Sequence, residues 1–308
     1  MKVAQTLCSR FGTIAGRVGT GMPNGSANGG TRARALWSRC AIAAAAAAGL
    51  AWSAITPALA EDSEITMRRS SERTGFTNEE IADGFFKVAF GAELRVSGGD
   101  DRIRKFEAPI RIFVDNRVQA DRGSMIAKVV ADIAEHVADL DIAVTQDRRA
   151  ANIVVTLVRH RDLKPTIRAF YGPDRARQIE QRLNPECLSG FAEDAQHRIR
   201  RAEVILAADG SDFRFLDCAY EELLQSLGPI NDDRSVPWTM FNDDVQMGFF
   251  DLYDQYLLNI LYDARIRPGM TRDDVKAMLP EVLPHVRERV ARTNPRARAA
   301  MQDGNGVH

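Results

Sequence analysis

The stretch Asn152-Ile153-Val154-Val155-Thr156-Leu157-Val158 decides the fold class. Five of its seven side chains are β-branched, and such residues favour a pleated strand over a helix. Working outward, Asp141 to Thr145 predicts a second strand just before it, and Ala108-Pro-Ile-Arg-Ile-Phe-Val114 alternates as a third. Between them, roughly Gly123 to Leu140, the residues Ile126, Val129, Val130, Ile133, Ala134 and Val137 fall on one helical stripe. Farther upstream Thr77-Asn-Glu-Glu80 has the form of a capping box, opening a helix with Ile81, Phe85, Val88, Ala89 and Leu94. Downstream, a less regular charged insertion fills about 160–198, and Ala202-Glu-Val-Ile-Leu-Ala207 is the last strand, ended by Asp209-Gly210. Only helices follow: Phe213 to Leu227, Val245 to Tyr262, and Asp273 to about Arg292. Pro268-Gly269 separates the last two, and Thr271-Arg-Asp-Asp274 supplies the new N-cap. Strands and helices mix and then give way to helices alone. This order predicts an α+β fold: a mixed sheet with helices on one face in the N-terminal half, and an all-helical C-terminal half. The expected divisions are 77–232 for the α+β part and 233–308 for the helical part, with 61–76 as a flexible tether.

The first 60 residues have a different character. Ala41 to Ala60 is almost wholly apolar or small, follows Arg32, Arg34 and Arg39, and ends in Ala58-Leu59-Ala60 before Glu61 and Asp62. Basic n-region, apolar h-region and small-residue cleavage site are the parts of a Sec-type signal peptide. The expectation is a secreted or periplasmic protein cut near Ala60, with no stable membrane insertion afterwards. Of the 41 basic residues six precede Glu61 and no acidic one does, so the remaining 248 residues carry 35 basic and 42 acidic groups, a net charge of −7. That balance argues against nucleic acid as a partner. Of four cysteines only Cys187 and Cys218 survive cleavage, and in an oxidising compartment two cysteines most simply pair. A bond across that separation contributes about 3–4 kcal/mol if unstrained.

The segment Cys218-Ala-Tyr-Glu221-Glu222-Leu-Leu-Gln225-Ser-Leu-Gly228-Pro-Ile-Asn231-Asp232 bears on function. At 100° per residue Phe215, Leu216, Ala219, Leu223 and Leu227 make one apolar face, while Cys218, Glu221 and Gln225 lie opposite and Glu222 at the border. Gly228 is placed to end the helix in a left-handed conformation.

This spacing resembles that of the metzincin zinc peptidases, whose active-site helix reads HExxHxxGxxH. Laid on that pattern, Glu221, Gln225 and Asn231 stand at the three ligand positions, Glu222 at the general base and Gly228 at the turn. The preceding order of strand, helix and three strands is similar to the metzincin N-terminal half, and Met240 falls roughly where a Met-turn would. Across most of 77–280 the chain also resembles an uncharacterised family of secreted bacterial proteins, known only as a domain of unknown function. The residues that carry this are Glu221-Glu-Leu-Leu-Gln-Ser-Leu-Gly228, Asn231-Asp232, Phe241-Asn-Asp243, Leu261-Tyr-Asp263, Arg265 and Pro268-Gly-Met270.

The departures from the metzincin pattern shape the functional expectation. All three histidines are missing, and one carboxylate with two amide oxygens is a poor zinc set. Without the metal, Glu222 has no activated water to deprotonate. No cofactor is therefore expected in the leading reading, a metallopeptidase-like scaffold without its metal that binds a protein or peptide beside an exposed edge strand at 202–207. The second reading is an active metal-dependent hydrolase using zinc or another divalent cation, with Glu222 as catalytic base and Glu221 as the surviving ligand. The third is an envelope structural protein. A plainer account of each residue is also on the page: Glu221 and Gln225 as a solvated helix face, Asn231-Asp232 as turn chemistry, Met240 as core.

Overall fold

The computed structural model describes residues 63–90, 101–182 and 185–302. The export signal expected in 1–60, and Leu94 of the helix expected after Thr77, lie outside them.

The β-branched run becomes β3 (Ile153–Val158), in which every residue is buried. Around it are β1 (Ile110–Asn116), β2 (Ile142–Val144), β4 (Cys187–Glu193) and β5 (Ile199–Ala207). The five strands form one sheet in the order β2-β1-β3-β5-β4. β1, β2, β3 and β5 run parallel, and β4 alone is antiparallel, pairing Ser189 with Val204 and Leu188 with Ile205. The outer strands are thus β2 and β4. The stretch 202–207, expected as an open edge, is instead interior, because the charged insertion contains a strand that covers it.

The helices are α1 (Ser63–Ser71), α2 (Asn78–Ala89), α3 (Gly123–His136), α4 (His160–Arg182), α5 (Asp212–Ser226), α6 (Leu252–Tyr262), α7 (Arg272–Thr293) and α8 (Pro295–Gln302). The fold is a mixed α/β one with a mainly helical C-terminal part, and the two halves share one core. Ile112 and Val204 of the sheet meet Ile126 and Ile133 of α3, Leu223 of α5 and Leu257 of α6 in it. The capping box expected at Thr77 forms with Glu80, and the N-cap expected at Thr271 is a capping box with Asp274.

Three further expectations need correction. Helices cover both sheet faces, since Leu163, Ile167 and Ile179 of α4 pack on Val158 and Ile205 on the far side of the sheet. α4 escaped the pattern because Pro165, Pro173 and Gly172 (φ 79°) interrupt its periodicity. Residues 63–71, expected in a tether, form α1: Ile65 is buried, and Arg68 and Arg69 lie over the rings of Phe213 and Phe249. Finally, the helix expected from Val245 starts at Leu252, where the Asp251 carboxylate caps Tyr253 and Asp254.

All eleven residues of α6 are buried, so its polar side chains must be satisfied internally. Asp254 accepts from the Thr239 hydroxyl at 2.5 Å and the Met240 N–H at 2.8 Å. Asn259 donates to the His136 carbonyl at 2.7 Å and accepts from the Ala138 N–H at 3.0 Å. These bonds fix the C-terminal half to the end of α3 and to the 239–240 turn. Met240, read as either core or a Met-turn, is buried. Among the described residues no helix is long and apolar enough to cross a membrane.

Candidate functional site

Helix α5 begins at Ser211, whose hydroxyl accepts from the Arg214 N–H. Its apolar stripe, with Phe215, Ala219 and Leu223, enters the core. The expected pairing of Cys187 with Cys218 is present, with Cα atoms 5.9 Å apart, and it ties α5 to β4. Held this way, the polar side of the helix faces β4 as much as solvent, and a plain solvated face does not describe it. Glu222 and Gln225 are buried; Glu221 is only partly covered.

Gln225 links three elements. Its Oε1 accepts from the Ser189 hydroxyl of β4 at 3.3 Å, and its Nε2 donates to Asp232 at 2.8 Å. The Asp232 carboxylate is thereby positioned over α5. Asp232, Glu221 and Asp243 each present a carboxylate oxygen within 4.8 Å of the others. Asp243 is the exposed member, and Arg234 approaches it at 3.5 Å. Asn242 supports this arm: its Nδ2 donates to the Val236 carbonyl at 3.0 Å and its Oδ1 accepts from the Asp244 N–H at 3.0 Å.

Negative charge accumulates here. Burial, then the charges of Glu222, Asp232, Asp217 and Asp243, raise the Glu221 carboxyl well above the usual carboxylate range. Burial pushes Glu222 up to about 8, with interactions from Ser189 opposing it and the charges of Asp232 and Asp243 adding to it. One oxygen of Glu222, Oε2, is buried with no hydrogen-bond partner. On the α4 side of β4, the buried Tyr171 hydroxyl is likewise unpartnered and sits over Gly190, where a Cβ would come within 2.8 Å of it. Burial and the charges of Glu203 and Glu222 raise the Tyr171 hydroxyl above its ordinary value.

The structure therefore redistributes the expected site. Glu221, Glu222 and Gln225 are brought together, but Gln225 serves as a holder of Asp232. Asn231 is directed elsewhere: its Nδ2 donates to the Lys87 carbonyl at 2.8 Å and its N–H to Val88 at 3.3 Å, fastening the loop to α2. Gly228 does end the helix region at positive φ, but at 142° instead of in the left-handed well, and a Cβ there would collide with the Arg104 carbonyl. The zinc that the metzincin pattern implies does not fit Glu221, Gln225 and Asn231: amide oxygens are poor zinc donors, Gln225 is bonded at both ends of its amide, and the Asn231 side chain is turned to α2. In the sequence Asp232 and Asp243 carry the family resemblance, and Asp232 reads as turn chemistry, but neither is nominated for a site. Both lie in coil, where no periodicity announces which way a carboxylate faces. A separate cavity of about 500 Å³, lined by His136, Asp139, Asn259 and Arg289 among others, shares no residue with this cluster.

A family model matches residues 78–281, which takes in all five strands and every carboxylate of the cluster. The chain belongs to the DUF2927 family, described as proteins of unknown function. The DUF2927 match leaves α1 and α8 outside it, so the buried Ile65 and the α8 contacts lie beyond the family's matched extent. No curated protein and no solved structure matches the chain.

Proposed function

We propose that this DUF2927 protein is an exported, non-hydrolytic binding protein of the cell envelope that takes an extended protein or peptide segment along β4. The observation that carries the reading is the position of β4. It is an outer strand with no partner strand on its far side among the described residues, and an extended peptide adds to such an edge through backbone hydrogen bonds. Charge supports a preference: Glu221, Asp232 and Asp243 lie beside the strand through the Ser189–Gln225–Asp232 chain of contacts, which favours peptides carrying Lys or Arg. Export rests on the signal-like sequence of 1–60, and the Cys187–Cys218 disulfide is compatible with an oxidising compartment. The metzincin likeness rests on motif spacing and element order. The test is selection from a library of ten-residue peptides against the purified chain. Basic, alternating sequences should be enriched, and their affinity should fall when Asp243 is changed to Lys. Enrichment without any charge preference, or none at all, would remove this reading.

One observation favours a second reading, a hydrolase. A buried carboxyl pushed up to about 8 holds its proton at neutral pH and suits a general acid. Hydrolysis of a peptide or ester panel, abolished in Glu222→Gln with folding intact, would select the hydrolase over the binding protein.

A further inference from the structure

The structure assigns the buried carboxyl pair of Asp251 and Asp254 the role of a proton-operated latch that holds α1 and α8 against the N-terminus of α6. Asp251 is 1% exposed and Asp254 is buried completely. Three of their four oxygens have donors. Asp251 Oδ1 accepts from the N–H groups of Tyr253 and Asp254, and the two Asp254 oxygens accept from the Thr239 hydroxyl and the Met240 N–H. The fourth, Asp251 Oδ2, is buried with no partner. The cation at this end of α6, Arg296, is bonded to Glu72 instead. Two neighbouring buried carboxylates without a cation of their own are costly. The two carboxyls are within hydrogen-bonding reach of each other. One proton on Asp251 Oδ2, donated to Asp254, therefore satisfies the orphan oxygen and removes one of the two charges.

Glu72, the residue after α1, reaches the same helix end, where its Oε1 accepts from the Leu252 N–H at 2.5 Å. Arg296 of α8 donates to the Glu72 carboxylate at 3.0 Å, to the Glu72 carbonyl at 3.2 Å and to the Arg69 carbonyl. The charged and titratable groups around the pair are thus Glu72 and Arg69 from α1, Arg296 from α8, and Tyr253 of α6, whose hydroxyl is turned to the Glu80 carbonyl of α2. The 239–240 turn contributes neutral donors. Burial, then the charges of Asp254 and Glu72, hold the Asp251 carboxyl well above the usual carboxylate range, and burial raises Asp254. The closed joint keeps a proton that an opened one releases near 3.8. Attachment of α1 is accordingly strongest below that value and weakens as pH rises toward the folded-state value. Losing the proton sets two carboxylates against Glu72. The pair lies inside the 78–281 match, whereas Glu72 and Arg296 lie outside it, so the latch joins the family domain to its flanking helices. It does not rest on peptide binding at β4.

Amide hydrogen exchange in Ser63–Ser71, corrected for the intrinsic rate and followed from about pH 5 to about pH 8, tests it. The unaltered chain should lose protection there by up to about tenfold per pH unit, the slope set by one released proton. Asp251→Asn mimics the protonated state: its side-chain oxygen still accepts from the Tyr253 and Asp254 N–H groups, and its amide donates to Asp254. Protection of α1 in this variant should stay level over the same range. Asp217 and the carboxyls of α5 are the same in both chains, so their titration cancels in the comparison. An identical pH course in the two chains, or no pH dependence in the unaltered one, overturns the latch. Should Asp251→Asn fail to fold, an NMR titration of the side-chain carboxyl carbons of the unaltered chain decides. One of the two carboxyls should stay protonated well above the ordinary range, and titration of both near 3.8 overturns the latch.

Discussion

The side-chain amide of Gln225 donates to the Asp232 carboxylate at 2.8 Å. A residue that motif spacing nominates as a ligand is thus a positioner of a neighbouring carboxylate. Replacing Gln225 with Ala removes this bond and the one from Ser189, both made by a buried side chain. The expected cost is about 1–3 kcal/mol in urea unfolding. Equal stability would show that the two bonds of Gln225 contribute nothing net to the fold.

Helix α1 makes a second prediction. Ile65 is 2% exposed, so Ile65→Ala should destabilise the chain by about 2–4 kcal/mol. A flexible tether would give a change near zero in the same thermal or urea measurement.

Asp217 gives a pH dependence. Its Oδ1 accepts from the N–H groups of Met247 and Gly248 at 2.7 and 3.1 Å, yet burial outweighs these bonds and the nearby Arg68 and Arg214 and pushes it up to about 6. The folded state then holds a proton that the unfolded chain releases near 3.8. Stability contributed by this group is full below that value, falls as pH rises to about 6, and is level above. Asp217→Asn keeps the accepting oxygen and removes the buried charge. It should raise stability at pH 7 by roughly 1–2 kcal/mol, allowing for partial exposure, and flatten the profile between about pH 4 and 6.

How much of this was readable in the sequence follows from where each signal resides. β3 is plain because its β-branched side chains argue locally, and the caps at Thr77 and Thr271 are plain because capping involves residues only three apart. The Cys187–Cys218 pairing followed from counting. β4 was hidden because Cys187-Leu-Ser-Gly-Phe-Ala-Glu193 has a weak strand pattern and only one buried residue. Its strand character comes from pairing with β5, a long-range contact no local pattern reports. The edge assigned to 202–207 failed for that reason. In the site, Glu221 and Glu222 were visible because a helix fixes their angles. Asp232 and Asp243 were not, because their orientation depends on Gln225 and on the loop that Asn242 braces.

The disulfide joins an outer strand to the helix that bears the carboxylates. Replacing both Cys187 and Cys218 with Ser should cost about 3–4 kcal/mol and loosen β4 before the rest of the sheet. Free thiols at both positions in protein recovered from the cell envelope would contradict the oxidised state assumed for the exported chain.

The most direct measurement of the binding role is amide hydrogen exchange with and without a saturating basic peptide from the selection. Peptide addition to the edge predicts slower exchange in Cys187–Glu193, and none at the opposite edge in Ile142–Val144. Protection confined to other segments, or unchanged exchange in β4 at saturation, would contradict it.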